Sequence, residues 1–295
     1  MMSRVRQREV AGRAEDLIKE LGLSSLPIKP IEIAQRKDIL VQAWDPPQAG
    51  VSGFLMKNGD AFGIGYSKCI NNEGFINFTV GHELGHYCIP GHVEKLLNNP
   101  AGLHYSHSGF VSHDDCEREA DLFSAALLMP EALFRNALRR SGAGFPAIDT
   151  LAKLCVTSIT ATAIRFAEYS DDPVAIIVGN SGRVGFCSMS ETIRTKKGLT
   201  WLKAGDSIPP GSTTARFQKD PENIAAAKQA EGVSMLDDWF DGAPRIEVKE
   251  DVIGLGHYGK TLTVLFTNET LDAEEEDDES EDDEDGYIPS WKRVR

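Results

Sequence analysis

Two histidines and a glutamate stand close together in the segment FTVGHELGH, which runs from Phe78 to His86. Residues four apart on a helix share a face, so the imidazoles of His82 and His86 can bind one metal ion. Glu83 lies about 100° round the helix from His82, where its carboxylate can reach a water on that ion but is poorly placed to ligate it. Zinc is the usual metal at such a site and lowers the pKa of a bound water to about 7. The spacing therefore indicates metal-assisted hydrolysis of a peptide bond.

The same five-residue pattern also arises by chance on the polar face of a helix. Two features of the flanking sequence favour a metal site. Apolar residues surround the motif and predict a buried helix, in which histidines need partners. These residues are Ile76, Phe78, Val80, Leu84 and Ile89. Gly81 and Gly85 each destabilise a helix by up to ~1 kcal/mol relative to alanine, which is understandable if another segment must approach this helix closely.

A third metal ligand is expected downstream, and two residues compete for that role. His92 follows His86 at the spacing found in H-E-x-x-H-x-x-G-x-x-H zinc proteases. Those proteins turn the chain at a glycine, whereas this chain has Ile89 at that position and then Pro90, which ends the helix. The turn chemistry therefore argues against His92 and favours the second candidate, Glu117.

Glu117 lies on a predicted second helix, which Ser112 or Asp114 can cap. Glu117 and Asp121 are four apart and share a face, while Glu119 points about 200° away from Glu117. One helix can thus offer Glu117 to the metal and Asp121 to the outer ring nitrogen of a ligand histidine. The alternative is an amphipathic helix whose acids are solvated and favoured in the first turn by the helix dipole.

The two blocks together resemble the ImmA/IrrE family of metallopeptidases. The family's F-T-x-x-H-E-L-G-H is present at Phe78–His86, and its E-x-E-A-[ND]-x-F-[AS]-A-x-L-L-M-P at Glu117–Pro130. Residues 27–34 and 50–55 also look like the family's opening segments. Asp121 stands where Asn is common, which keeps a hydrogen-bond acceptor. The resemblance is specific because both blocks, their order and their spacing agree.

The resemblance implies a zinc site formed by His82, His86 and Glu117, with Glu83 as the catalytic base. It implies a zinc-dependent, site-specific endopeptidase that cleaves a helix-turn-helix transcriptional repressor and so relieves repression. The substrate class comes from the analogy alone. The alternative is a non-catalytic regulator that binds a repressor or DNA.

The sequence predicts an α+β fold that opens with a zincin-like metallopeptidase core, a small sheet with active-site helices, over residues 1–140. Its predicted elements before the zinc helices are helices 9–22 and 30–37 and strands 39–43, 50–56 and 61–66. A loop is predicted over residues 91–113, and Ser52–Met56 is predicted as an edge strand that holds an extended substrate by strand addition. The loop holds four candidates for the oxyanion partner, none favoured by the sequence: His104, Tyr105, His107 and His113.

The remainder of the chain divides into two predicted parts. Residues 147–168 read as helix, tight turn, helix and resemble the helix-turn-helix of family members, although Arg165 is the only base in its second helix, a poor basis for DNA binding. Residues 173–270 resemble the GAF-like α/β domain of longer members. The predicted elements there are strands 174–178, 183–188 and 261–266 and a short helix, 234–240, with Ser234 as its cap.

The charge of −14 is concentrated in one segment. Twelve acids lie between Asp272 and Asp285, so they account for all but two of the net negative charges, and an acidic disordered tail is predicted over residues 271–295. The N-terminus lacks the apolar core of a signal peptide, and no apolar run approaches the ~20 residues of a spanning helix. Five scattered cysteines argue against a secreted disulfide framework. These features predict a cytoplasmic protein without a membrane partner.

Overall fold

The computed structural model describes residues 3–46, 50–69, 71–107 and 114–271. The chain divides into two compact units. The first comprises the residues up to Ala137 together with Thr150–Ser158, and the second comprises Leu138–Asp149 and the residues from Ile159 onward. Both contain helices and a sheet, so the α+β class is confirmed. The predicted domain limits stay predictions, and the acidic tail lies outside the described residues beyond Leu271.

Nine elements form most of the first unit. They are α1 (Arg4–Glu20), α2 (Pro30–Arg36), β1 (Leu40–Trp44), β2 (Val51–Asn58), β3 (Ala61–Ser67), α3 (Glu73–Cys88), α4 (His92–Leu96), β4 (Leu103–His107) and α5 (Asp115–Leu128). Two further helices, α6 (Glu131–Ser141) and α7 (Gly144–Cys155), have residues in both units. The helices and strands predicted ahead of α3 are all present, with α1 beginning five residues earlier than predicted.

The first sheet has the strand order β1-β3-β2-β4, with β1 and β3 parallel and the other pairs antiparallel. The prediction that Ser52–Met56 forms an edge strand is therefore wrong, because β2 is flanked by β3 and β4. The continuous loop predicted over residues 91–113 is also wrong, since α4 and β4 lie within it. Both errors have one cause: the pairing of β4 with β2 joins residues some 50 positions apart, which no local pattern reveals.

Local signals account for the two helices that carry the motifs. The side chain of Asn72 accepts a hydrogen bond from the backbone N–H of Phe75 and caps α3, which ends at Cys88 ahead of Pro90. Asp114, one of the two predicted caps, caps α5 by accepting from the N–H of Cys116; the other, Ser112, lies outside the described residues. The two helices pack closely within a core that also includes α1, α2 and the sheet.

The second unit contains its own sheet, whose topology differs from that of the first sheet. Its remaining elements are α8 (Ile159–Tyr169), β5 (Val174–Asn180), β6 (Arg183–Met189), α9 (Glu191–Arg194), α10 (Thr213–Phe217), α11 (Pro221–Ala225), β7 (Gln229–Met235), α12 (Leu236–Trp239), β8 (Glu247–Gly254), a 3₁₀ turn (Gly256–Tyr258) and β9 (Thr261–Phe266). The sheet is antiparallel with the order β6-β5-β9-β8-β7. Its GAF-like character stays a prediction.

Three apolar strands were predicted correctly in this unit, as β5, β6 and β9. Two polar strands, β7 and β8, were not predicted because charged residues and glycine are depleted in strands. The assignment of Ser234 as a helix cap is wrong: this residue lies in β7, and α12 begins at Leu236. Ser234 instead donates its hydroxyl hydrogen bond to Glu250 on the neighbouring strand.

The helix pair predicted over residues 147–168 is present as α7 and α8, while its helix-turn-helix role stays a prediction. Arg165 is buried and donates hydrogen bonds to Glu168 and Tyr169, so the basic side chain of α8 is engaged inside the protein. Within the described residues, no single helix is both long and apolar enough to cross a membrane; one bent pair, Gly144–Cys155 with Ile159–Tyr169, passes that test on length and composition alone.

Candidate metal centre

Helices α3 and α5 run antiparallel where the two motifs meet. Rising residue numbers on α3 face falling numbers on α5: Gly81 lies against Ser124, and Gly85 against Ala120. A Cβ built on Gly85 would stand only 3.0 Å from Ala120 Cα and 3.1 Å from its carbonyl oxygen. The glycines therefore permit the close approach that their helix-weakening effect suggested, and this approach brings Glu117 up to the histidines.

Three side chains with metal-binding atoms converge at this crossing. His82 Nε2 lies 3.0 Å from His86 Nε2, Glu117 Oε2 lies 3.4 Å from His82 Nε2, and Glu117 Oε1 lies 3.2 Å from His86 Nε2. A tetrahedral zinc ion with bonds of about 2.0–2.1 Å separates its ligand atoms by about 3.3 Å. The three side chains thus fit a zinc ion in donor type and in spacing, and they form a group positioned for a metal.

The outer side of each ligand is also occupied. His82 Nδ1 lies 2.7 Å from Asp121 Oδ1, the arrangement expected from the four-residue spacing of Glu117 and Asp121. The contact suits a histidine that donates from Nδ1 and offers the lone pair of Nε2 to a metal. On Glu117, Oε1 lies 2.9 Å from Nε2 of His104, which belongs to β4. Both histidine ligands are buried, whereas 18% of the Glu117 side chain and 20% of the His104 side chain are exposed, so the centre opens on that side.

Glu83 is fully buried beside these ligands. Among the residues that the structure describes, neither of its carboxylate oxygens has a hydrogen-bond partner, and neither does the hydroxyl of Ser106 on β4. Ser106 is close enough to act on the pKa of Glu83 without completing a hydrogen bond. The backbone on the other side is equally close, because a Cβ on Gly53 would stand 3.1 Å from Glu83 Oε1. Buried carboxylate oxygens without donors are uncommon in proteins and are typical of reactive sites.

The protonation of these groups follows from burial and from their neighbours. Burial raises the pKa of Glu83 to about 7, although His82 and Ser106 oppose the shift. Burial lowers the pKa of His86 to about 3, so this imidazole is neutral. In the metal-free protein burial also disfavours charge on His82, but hydrogen bonds to Asp121 and Glu117 outweigh it and raise the pKa to about 10, so a metal that binds Nε2 must displace a proton. Burial likewise opposes charge on Glu117, but hydrogen bonds with three histidines hold its pKa well below the usual range.

The structure also shows a role for His92 that the sequence did not reveal. His92 is buried, and its Nδ1 lies 3.1 Å from Nδ1 of His86, on the side of the ring away from the other two ligands. Gly91, with a φ of 87°, turns the chain after α3 and brings His92 back to this position. The rejection of His92 as a ligand agrees with the geometry, but the sequence reasoning overlooked that a glycine two residues beyond the expected one supplies a turn. Glu119, which the helix pattern set apart from the site, is the next partner of His92.

Only one of the four oxyanion candidates points into the centre among the described residues. His104 and Ser106 lie on the inner face of β4, and Tyr105 lies between them and points to the opposite face. There it stacks on Trp44, with ring centroids 5.8 Å apart. His107 is exposed, and His113 lies outside the described residues.

Comparison with known proteins agrees with this geometry. The family model described as the IrrE N-terminal-like domain, Peptidase M78, matches residues 34–152. A solved structure of a Mycobacterium tuberculosis transcriptional regulator is similar in fold, with a TM-score of 0.52 and 15% sequence identity over 88% of this chain and 76% of that chain. No curated protein matches this sequence. The matched residues, 34–152, contain every residue of the three-ligand centre and Glu83, and the match agrees with the resemblance to the ImmA/IrrE metallopeptidases.

Proposed function

We propose that this chain is a zinc-dependent, site-specific endopeptidase that cleaves a helix-turn-helix transcriptional repressor. One observation carries the proposal: three side chains spaced for zinc lie beside a fully buried glutamate whose two carboxylate oxygens lack hydrogen-bond donors among the described residues. The match of residues 34–152 to a peptidase family model supports a peptidase. The similarity in fold to a transcriptional regulator supports a place in gene regulation.

In this proposal His82, His86 and Glu117 hold the zinc ion and Glu83 handles protons. A bound zinc ion supplies a Lewis acid that polarises a carbonyl and acidifies water. Glu83 accepts a proton from the attacking water and passes it to the nitrogen of the leaving amine. In the metal-free protein burial raises the pKa of Glu83 to about 7, so its ionised and protonated forms are closer in free energy than those of an exposed glutamate, which suits a group that accepts a proton and passes it on.

The other roles fall to residues of β4. His104 is the side chain placed to donate a hydrogen bond to the carbonyl oxygen of the substrate, because its Nε2 already lies at the open side of the centre, beside Glu117. Removing such a donor lowers kcat by about 10²–10³-fold in other enzymes. β4 is also the outermost strand on this side of the sheet. It replaces Ser52–Met56 as the strand on which an extended substrate would pair.

The test uses purified helix-turn-helix repressors of the source organism, starting with one encoded beside this gene if there is one. The purified repressor is incubated with the zinc-loaded protein and, separately, with the Glu83→Gln variant, and fragments are identified by mass spectrometry. We expect one cleavage site with the wild type and none with the variant. Zinc content is measured in both, because Glu83 is not a ligand and its replacement should leave the metal bound.

Two controls make the result specific. A second helix-turn-helix protein of similar size should stay intact, which tests the narrow specificity. Glu250→Gln, a change in the second unit, should cleave the repressor like the wild type. An intact repressor bound stoichiometrically by zinc-loaded wild type would contradict the peptidase proposal and support the non-catalytic regulator.

A further inference from the structure

A chain of polar side chains links the metal centre to the N-terminal helix α1. Nδ1 of His86 lies 3.1 Å from Nδ1 of His92, and Nε2 of His92 lies 3.0 Å from Oε2 of Glu119. Arg6 completes the chain with two hydrogen bonds to Glu119, from Nε to Oε1 at 2.8 Å and from Nη2 to Oε2 at 2.6 Å. His86, His92 and Glu119 are buried, so the chain runs through the interior until it reaches Arg6.

Only one arrangement of protons satisfies this chain when His86 offers a lone pair to a metal. Nε2 of His86 must be bare, so its proton lies on Nδ1 and is donated to Nδ1 of His92. Nε2 of His92 then carries the second proton and donates it to the carboxylate of Glu119. Arg6 cannot accept a hydrogen bond and holds that carboxylate in a bidentate pair. Every link therefore favours the same tautomer of His86.

We propose that Arg6, Glu119 and His92 are positioning residues that orient His86 for metal binding and so raise the affinity of the centre. The inference rests on the proposed metal centre. It extends that centre to α1, which precedes the residues matched by the family model. These three residues would orient His86 in the way that Asp121 orients His82.

His86 reaches an outer carboxylate only through His92, and the reason is the position at which α5 begins. Because α3 and α5 are antiparallel, His82 faces Asp121, and His86, one turn further along α3, faces Glu117 one turn back along α5. α5 begins at Asp115, so this helix has no earlier turn to place a carboxylate behind His86. His92 bridges the gap, and Glu119, on another face of α5, receives its proton on the side of α1.

The experiment measures metal affinity rather than peptide cleavage. Full-length protein is stripped of metal, and its dissociation constant for Zn²⁺ is determined by competition with a chromophoric chelator. The visible absorption of the Co²⁺-substituted protein reports ligand geometry. Loss of an outer partner of a ligand histidine typically weakens metal binding by about 10–100-fold. We expect Glu119→Gln to weaken Zn²⁺ binding within that range and to alter the Co²⁺ spectrum.

Two matched controls separate positioning from stability. Glu9→Gln removes the other carboxylate on Arg6, at an exposed position of the same helix, and should bind Zn²⁺ within twofold of the wild type. Ile18→Val removes one methyl group from the buried apolar face of α1, and it should lower the melting temperature while leaving the Zn²⁺ affinity unchanged. In the Glu119→Gln background, Arg6→Gln should have no further effect, because Arg6 acts through Glu119.

Three results would overturn the inference. They are Zn²⁺ affinity of Glu119→Gln within twofold of the wild type, an equal loss in Ile18→Val, and an added loss from Arg6→Gln in the Glu119→Gln background. Tight Zn²⁺ binding by a wild type that cuts no repressor would contradict the proposed reaction but leave the positioning chain standing. The failure of each idea is therefore distinguishable from the failure of the other.

Discussion

Glu83 in the first unit and Glu250 in the second are both fully buried glutamates, and their surroundings are opposite. Glu250, on β8, accepts hydrogen bonds from the backbone N–H groups of Thr213 and Thr214 at 3.0 and 2.6 Å, and from the hydroxyls of Thr214 and Ser234. Glu83 has no such donor among the described residues. A buried charge with a full set of donors stabilises the fold around it, whereas one without donors is held in place at a cost in stability.

Burial alone does not reveal the role of a carboxylate, because both glutamates are equally buried. Glu250 caps the start of α10 and joins it to the sheet, so its donors are part of the architecture. Glu83 lies against Gly53 and near Ser106, where its oxygens remain available for a proton. We therefore read Glu250 as structural and Glu83 as chemical, and the two readings make different predictions for the same substitution.

The largest expected effect is on catalysis. Glu83→Gln removes the proton acceptor and should lower kcat for a cleaved peptide by about 10²–10⁴-fold, the usual contribution of a general base. Glu250→Gln should leave kcat within twofold, because Glu250 has no role in the chemistry of this proposal. The measurement is steady-state cleavage of a peptide that spans the repressor cut site. A Glu83→Gln variant that keeps the wild-type kcat would contradict the assignment of Glu83 as the proton acceptor.

The next effect concerns the pH dependence of the free energy of unfolding of the metal-free protein. The carboxyl of Glu83 has its pKa raised from 4.5 to about 7, so the folded state holds this proton over a pH range in which the unfolded state has lost it. Stability therefore falls as the pH rises from about 4.5 to 7, by about 3 kcal/mol for this group. Glu83→Gln should be more stable than the wild type at pH 8 and lack that part of the decline. Urea unfolding in chelator at pH 5 and pH 8 measures both; a Gln variant with the full wild-type decline would assign it to other groups.

For Glu250 the same substitution should act in the opposite direction. Glu250→Gln replaces one acceptor oxygen by an amide that cannot accept from the surrounding donors, and we expect a loss of about 2 kcal/mol in the second unit. Faster hydrogen exchange in β8 would locate the loss, and Zn²⁺ affinity should not change. The matched control is Glu247→Gln on the same strand, whose side chain is exposed and whose loss should be within about 0.5 kcal/mol.

The smallest effect concerns the crossing of α3 and α5, which brings Glu117 up to the two histidines. Gly85→Ala places a methyl group against the backbone of Ala120 and should push α5 from α3, which weakens Zn²⁺ binding through Glu117. The net cost in stability should be about 1 kcal/mol, because the higher helix propensity of alanine offsets part of the overpacking. Gly12→Ala on α1 is the control, because a Cβ there meets nothing within 4 Å, and it should gain up to about 1 kcal/mol. Equal stability changes in the two variants would show that the crossing tolerates a wider gap.

The sequence by itself determined the parts of this protein that depend on helix periodicity. His82 and His86 share a face because they are four apart, and Glu117 and Asp121 do so for the same reason. A four-residue offset is a property of any helix, so these groupings needed only the prediction that each segment is helical. The caps at Asn72 and Asp114 and the stop at Pro90 lie within a few residues of the positions they govern.

Tertiary structure alone decided the contacts that join distant segments. Arg6 meets Glu119 across 113 residues, β4 pairs with β2 across about 50, and Glu250 draws its donors from 36 or more residues before it or from a neighbouring strand. Such contacts depend on which loops close and which faces pack. The local sequence around a buried acid therefore does not show whether hydrogen-bond donors from distant segments lie next to it. For that reason the ligands and Asp121 could be predicted from the sequence, whereas the positioning roles of Arg6, Glu119 and His92 could not.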